Sequence, residues 1–304
     1  MTKVSDLKDK SVYVENEFAP LRRAILSQSE FVFPKDESIP KRDALLLLMG
    51  KERERLKTIL EGHGIEVLMP RKLTDSEKTD AVSEDGITDG TGMSNYFSRD
   101  PIIVIGNRII ELNLRSKRRR YEVLAMRDII EKEKEDCKYI SMPHLEDCFL
   151  EGGDILVLGN TVFVGLSEYT SNEKGYQWLK DNLTEYGYDV KPVRLKDCIL
   201  HLDCVIGLVK DGLMIVCEDF LEDGIPDELS SWDRINVSTR DTNRMAVNGL
   251  PISEDTYLTD SAFRDTIGIE LEKRGINVEY LDCRFTRAFK GSFHCSVNPL
   301  LRMK

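Results

Sequence analysis

The stretch DILVLGNTVFVGL (154–166) places two β-rich runs on either side of Gly159-Asn160. Strand-like runs joined by a short Gly/Asn turn are a strong local signal for a β-hairpin. The same pattern occurs upstream in PIIVIGNRIIELN (101–113), around Gly106-Asn107, and downstream in DCVIGLVKDGLMIVCEDF (203–220), around Asp211-Gly212. A weaker version, RMAVNGLPISEDTYL (244–258), is read around Asn248-Gly249.

Most of these hairpins are followed by an amphipathic helical pattern, a glycine and a short strand. The helical pattern near 172–186 stops at Gly187 before YDVKPV, and the one near 262–274 stops at Gly275 before INVEYL. Near the N-terminus, ALLLLMGKERERLKTILEGHG leads through Gly64 to IEVLMP. A glycine just past a helix supplies the left-handed C-terminal cap. The repeated unit is therefore strand–strand–helix–strand, and about five copies fit. One unit cannot bury its apolar face, whereas copies set around an axis can. The expected architecture is α/β, a five-bladed pseudo-symmetric propeller of ββαβ modules formed by residues 1–304 as one domain. The first unit has one hairpin strand, LRRAILS (21–27). Its missing strand is assigned to the C-terminal HCSVNPL, folded back as a clasp.

The hairpins share a second feature, a polar residue at each entry. Asp100 stands before the first, Glu151 before the second, and His201 with Asp203 before the third, while the clasp carries Cys295. Equivalent positions of modules around an axis point to a common centre. On a strand, His201 and Asp203 project from one face, whereas neighbours Arg99 and Asp100 face opposite ways. Gly152 and Gly153 permit close backbone approach behind Glu151. Each residue alone has an ordinary role as a turn acid, a structural histidine or an inert buried thiol. Their recurrence at matching points singles them out. A thiol, an imidazole and a carboxylate form a nucleophilic set. Further acids would disfavour a thiolate and repel an oxyanion, so the substrate expected is a cation, and a planar guanidinium matches carboxylates in fork geometry.

These motifs resemble the guanidino-group-modifying enzymes: arginine deiminases, dimethylarginine dimethylaminohydrolases and amidinotransferases. The resemblance runs from EFAPLRRAIL to SFHCSVNPLL and rests on Arg99-Asp100, Glu151 to Asp154, His201-x-Asp203 and the late Cys295. It implies a five-bladed α/β propeller, with Cys295 as nucleophile, His201 as general acid/base, Glu151 assisting His201, and Asp100 and Asp203 binding the guanidinium. Lys290-Gly291-Ser292 departs from the glycine run that relatives often carry before the cysteine. RDPIIVIGNRIIELNLRSKRRRYE looks closest to amidinotransferases, and Glu151 and CSVNPLL look more like the hydrolases. The activity implied is hydrolysis of an arginine-like substrate to citrulline and ammonia. The alternatives are amidino transfer to an amine, or a propeller that binds an arginine-like metabolite without catalysis.

Bulk properties set the remaining expectations. The seven cysteines include no CxxC pair and the four histidines no zinc spacing, so neither a metal nor a cofactor is expected. The net charge of −11 disfavours nucleic acid and acidic membranes as partners and suits a cationic small molecule. No signal-peptide core or membrane-length apolar run occurs, which points to reduced thiols and a cytoplasmic protein. The basic run RSKRRR (115–120) opens a helical pattern and is read as a solvated helix face. Residues 74–95 are read as a loop, with a lid over the pocket as the functional alternative. Arg244, Arg284 and Arg287 are candidates for gripping the substrate's far end. A homodimer is the oligomer considered.

Overall fold

The computed structural model describes residues 10–28, 31–32, 42–85 and 93–303. Its strands form five three-stranded sheets of mixed pairing and one two-stranded sheet. Each three-stranded sheet joins an antiparallel pair to a parallel third strand. In the sheet opened by Ile155–Leu158, that strand pairs antiparallel with Thr161–Leu166, and Asp189–Arg194 then adds in parallel after the helix Glu173–Leu183. Gly187 ends this helical segment at φ 83°, as the capping argument requires.

The sheet opened by Ile102–Ile105 repeats this order through the helix Glu122–Glu133. So does the sheet opened by Leu250–Ser253, where Ser261–Glu272 is a run of 3₁₀, π and α turns. In the Ile206–Lys210 sheet the crossover to Asp233–Asn236 holds short 3₁₀ turns in place of a long helix. The hairpin turn in 244–258 lies at Glu254-Asp255, not at Asn248-Gly249. Asn248 precedes the hairpin and is used elsewhere.

The first sheet is completed by the end of the chain. Leu21–Leu26 pairs antiparallel with Val297–Arg302 and parallel with Glu66–Leu68. All six residues of Val297–Arg302 are buried. Asn298 donates to the carbonyls of Ser98 and Ile102, next to the second sheet, and Arg302 donates to Ala19 and to Pro251 of the fifth. The clasp strand is thus tied to the sheets on both sides.

The core is divided among interfaces between successive sheets. Ile25 and Leu300 pack with Ile102 and Val104; Ile103 and Ile105 pack with Ile155 and Val157. Leu156 and Phe163 then meet Ile206 and Met214, while Val209 and Ile215 meet Tyr257. Leu250 and Leu258 pack back on Leu21 and Leu26. Alternation makes this possible, because each strand buries both faces against different neighbours.

Residues 74–95 are not a featureless loop. Asp75–Asp85 is helical, and Met93-Ser94 pairs with Phe31-Val32. Thr74 and Glu77 form a reciprocal capping box, with Glu77 N donating to Thr74 Oγ1 at 3.2 Å and Thr74 N to a Glu77 carboxylate oxygen at 2.7 Å. Residues 86–92, which complete the lid considered above, lie outside the described residues.

Candidate active site

Glu151 and His201 occupy equivalent places, each an extended residue immediately before a 3₁₀ turn, Gly152–Asp154 or Leu202–Cys204. The turns are locked together. Asp154 accepts hydrogen bonds from the Thr170 and Ser171 hydroxyls, both 2.7 Å, and from Leu202 N at 3.0 Å. Burial raises its pKa to about 6. Gly153 leaves room for the His201 ring, since a Cβ would lie 2.7 Å from His201 Nδ1 and 3.0 Å from Asp100 Oδ1. Its N–H donates to that same Asp100 oxygen at 3.0 Å. Cys295 sits in the short helix Phe293–Ser296 at the head of the clasp strand. Asn248 Oδ1 receives the N–H groups of Ser292 and Cys295 at 3.0 and 3.2 Å.

Asp100, Glu151, His201 and Cys295 are all buried and line one cavity of about 400 Å³, with Phe97, Tyr169 and Phe289 among its other walls. His201 Nε2 lies 2.9 Å from Glu151 Oε2, and Nδ1 lies 3.9 Å from Asp100 Oδ1. Burial alone would lower the imidazole pKa, but the surrounding acids Asp100, Asp154 and Glu151 and the Cys295 contact hold it well above the ordinary value. His201 is therefore the cation of the pair. Cys295 is held well above the ordinary thiol range by its Cys204 neighbour, by burial and by the Asp203 charge, with His201 pulling it down. The resting sulfur is a thiol.

Asp203 is not on the cavity wall. Its segment is a 3₁₀ turn rather than a strand, so Asp203 does not share a strand face with His201. It lies behind the thiol, with Oδ2 3.4 Å from Cys295 Sγ and 2.8 Å from His294 Nδ1. Nε2 of His294 faces Glu17 Oε2 at 3.2 Å, and Glu17 Oε1 accepts from Arg99 at 2.9 Å. Burial opposes ionisation of Glu17, but Arg99 and His294 hold it far below the usual carboxylate range. Arg99 also donates to the carbonyls of Gly152 and Ile155. Arg99 and Asp100 thus face apart as expected, although both lie in a turn. The relay Arg99–Glu17–His294–Asp203 forms a floor beneath the sulfur.

The basic run behaves differently from a solvated helix face. Residues 117–121 form a 3₁₀ turn, and Ser116, Arg118 and Arg119 line the cavity. Arg119 lies 2.8 Å from Asp100, 3.3 Å from Glu151 and 2.9 Å from Glu122. Burial pushes Glu122 up to about 7, against the pull of Arg119. Arg244, Arg284 and Arg287 do not line the cavity; they pair with Asp241, Asp282 and Asp260. The arginine and lysine side chains at the cavity are Arg118, Arg119 and Lys290. Two sets of metal-ligand types do converge within 4.8 Å, His201/Asp203/Cys295 and Asp100/Glu151/His201, a proximity that linear spacing could not reveal. Among the described residues no helix is long and apolar enough to cross a membrane.

A thiol, a cationic imidazole and several carboxylates at one cavity, on five sheets of repeated topology, define a guanidino-group-modifying enzyme. The arginine deiminase family model matches residues 91–250, and the chain belongs to that family. It is 26% identical over 294 residues to the uncharacterized protein YkgA of Bacillus subtilis, covering 94% of each chain. It is also 26% identical to inosamine-phosphate amidinotransferase 1 of Streptomyces griseus, covering 69% of each. Among solved structures, an amidinotransferase of the saxitoxin biosynthetic pathway from Microseira wollei superposes with a TM-score of 0.80 at 20% identity, covering 97% of this chain and 98% of that one. A dimethylarginine dimethylaminohydrolase superposes with a TM-score of 0.68 at 17% identity, covering 92% and 99%. At these identities the solved structures establish the fold.

Proposed function

We propose that the protein modifies the guanidino group of an arginine-like substrate through a covalent intermediate on Cys295, with hydrolysis as the overall reaction. The convergence of Cys295, His201, Glu151 and Asp100 on one cavity carries this proposal. The five sheets act as blades of a pseudo-symmetric propeller whose axis passes through the site, which brings distant entry residues together. The substrate guanidinium takes the place beside Asp100 and Glu151 now held by the Arg119 end groups, while Arg119 keeps Glu122. A cation there favours the thiolate by direct Coulomb attraction. Asp203, 3.4 Å from the sulfur, is within reach of a guanidino nitrogen on the carbon that sulfur attacks.

The thiol proton passes to solvent, because His201 already holds its own and the guanidinium has no acceptor. The thiolate then forms the S–C bond. His201 protonates a terminal nitrogen, the C–N bond breaks and ammonia leaves, with the amidino carbon remaining on sulfur. Neutral His201, steadied by Glu151, takes a proton from water, and the hydroxide attacks that carbon. Sulfur departs and the ureido product is released. The family model supports hydrolysis.

The amidinotransferases similar to most of the chain favour a second reading, in which the substituted nitrogen leaves and an amine replaces water. Purified protein with arginine alone separates them. Citrulline and ammonia support hydrolysis. Ornithine released only with an amine acceptor supports transfer, and no reaction of any guanidino compound together with no labelling of Cys295 by chloroacetamidine defeats both.

A further inference from the structure

We infer that Cys204 is the disulfide partner of Cys295, so that the site carries a reversible oxidation lock. Cys204 ends the 3₁₀ turn that follows His201, and its thiol, like that of Cys295, lies against the Asp203 carboxylate. Both sulfurs flank one carboxylate oxygen: Asp203 Oδ1 lies 3.4 Å from Cys204 Sγ and 3.7 Å from Cys295 Sγ. Asn248 fastens the two segments to each other. Its Oδ1 accepts from the N–H of Cys295 at 3.2 Å, while its Nδ2 donates to the Asp203 carbonyl at 3.2 Å and lies 3.9 Å from Cys204 Sγ. The Asn248 side chain thus ties the turn that carries Cys204 to the short helix that carries Cys295, with both sulfurs on the Asp203 carboxylate.

Both cysteines are buried, but each faces a cavity. Cys295 faces the active-site cavity, and Cys204 a second one of about 320 Å³ lined by Met245, Ile199 and Cys198. Tyr169, Leu200 and Lys290 belong to both walls, so the thiol pair lies between two adjoining openings. The described residues with positive φ other than glycine are Cys198, Met245 and Lys290, and all of them line this second cavity. Backbone held in that region is costly, at about 1–3 kcal/mol each, and persists where the surroundings fix it.

The oxidant is hydrogen peroxide. The Cys295 thiolate attacks one peroxide oxygen, the O–O bond breaks, and Cys295 sulfenic acid and water form once a proton is supplied. The Cys204 thiolate then attacks the sulfenic sulfur, the S–O bond breaks, and a second water leaves. The net change is two thiols and one peroxide to one disulfide and two waters, and a small dithiol returns the pair to thiols by exchange. Rapid resolution keeps Cys295 from the irreversible sulfinic state. Because the resting sulfur is protonated, the rate of locking rises with pH. The inference rests on the proposed function only for its consequence, the loss of turnover on locking; the bond itself needs only the geometry.

The test is peptide mapping of the full chain after hydrogen peroxide treatment and alkylation, without reductant. The expected product joins the Cys204 and Cys295 peptides, lighter by two hydrogens, and dithiothreitol restores both thiols. In Cys204→Ala the expected product is Cys295 sulfinic acid that dithiothreitol does not restore. A sulfinic Cys295 in the parent protein, a Cys198–Cys204 or intermolecular bond, or no oxidation of Cys295 overturns the inference. The map of the parent protein decides even if the variant does not fold. A protein that forms this bond yet turns over no guanidino substrate leaves the lock standing and defeats the proposed function instead.

Discussion

Asp100→Asn separates recognition of a cation from reactivity of the thiol. Asn keeps an acceptor for the Gly153 N–H, and Arg119 retains Glu122 and Glu151, so the fold loses the charged contact to Arg119 and a longer one to His201. That costs about 1.5–3 kcal/mol of stability, the scale of a charge-assisted hydrogen bond. The effect on a bound amidinium is larger. Removing one partner of a buried ion pair costs about 3–5 kcal/mol, and the Arg119 cation now beside Asp100 is 19% exposed, so the lower end applies. About 3 kcal/mol is roughly a 150-fold change. The assay compares alkylation of Cys295 by chloroacetamidine, a cation, with alkylation by chloroacetamide, its neutral counterpart. Asp100→Asn should slow the cation by roughly 150-fold and change the neutral reagent by no more than a few-fold. Equal slowing of both reagents, or loss below about tenfold for the cation, would refute a carboxylate cradle at Asp100.

Removing residues 293–303 should abolish folding, since burial of Phe293, Val297, Leu300 and Leu301 alone contributes roughly 6–12 kcal/mol, comparable to a typical domain's entire stability; native melting behaviour would contradict the clasp. Gly153→Ala should keep the melting transition but slow Cys295 alkylation by chloroacetamidine roughly 100-fold, because the added Cβ falls 2.7 Å from His201 Nδ1; an unchanged rate would show that the ring has room to move. The raised pKa of His201 stabilises the fold fully below the unfolded value of about 6.5, and this contribution is lost as pH rises through the folded value. The stability advantage of the parent over His201→Gln, from denaturant titrations, should therefore shrink from neutral to alkaline pH. A constant difference would mean that His201 is neutral at rest.

The repeated topology was legible because its signals are local. A Gly/Asn turn between two β-rich runs specifies a hairpin within about a dozen residues, and the capping glycines mark where each helix stops. Gly64, Gly187 and Gly275 all have positive φ. The clasp was legible by subtraction, since the first unit lacked a strand and the chain end could supply one. The turn at Glu254-Asp255 was missed because Asn248-Gly249 is the stronger turn dipeptide, and tertiary bonding uses Asn248 to hold the Cys295 segment. The helix Asp75–Asp85 was missed on composition, although Thr-x-x-Glu at 74–77 is a capping signature.

The site was legible only where module position determined it. Asp100, Glu151, His201 and Cys295 stand at the entries of their repeated units or of the clasp, and all four line one cavity. Glu17, His294 and Arg119 obey no such rule. Glu17 precedes the first strand on a segment crossing several sheets, as its bond to Val157 N shows. His294 is masked by standing next to the cysteine, where a strand reading would turn it away; the short helix Phe293–Ser296 turns it toward Asp203. Arg119 sits in a basic run whose composition suggests solvent exposure, yet the 3₁₀ turn at 117–121 swings it into the cavity. An acid-rich pocket explains why that cation belongs there. Asp100 and Glu151 on the wall and Glu122 behind it crowd around Arg119, and without that counter-charge their mutual repulsion would force protonation or opening. The Arg119 guanidinium meets that need, at 2.8 Å from Asp100, 2.9 Å from Glu122 and 3.3 Å from Glu151.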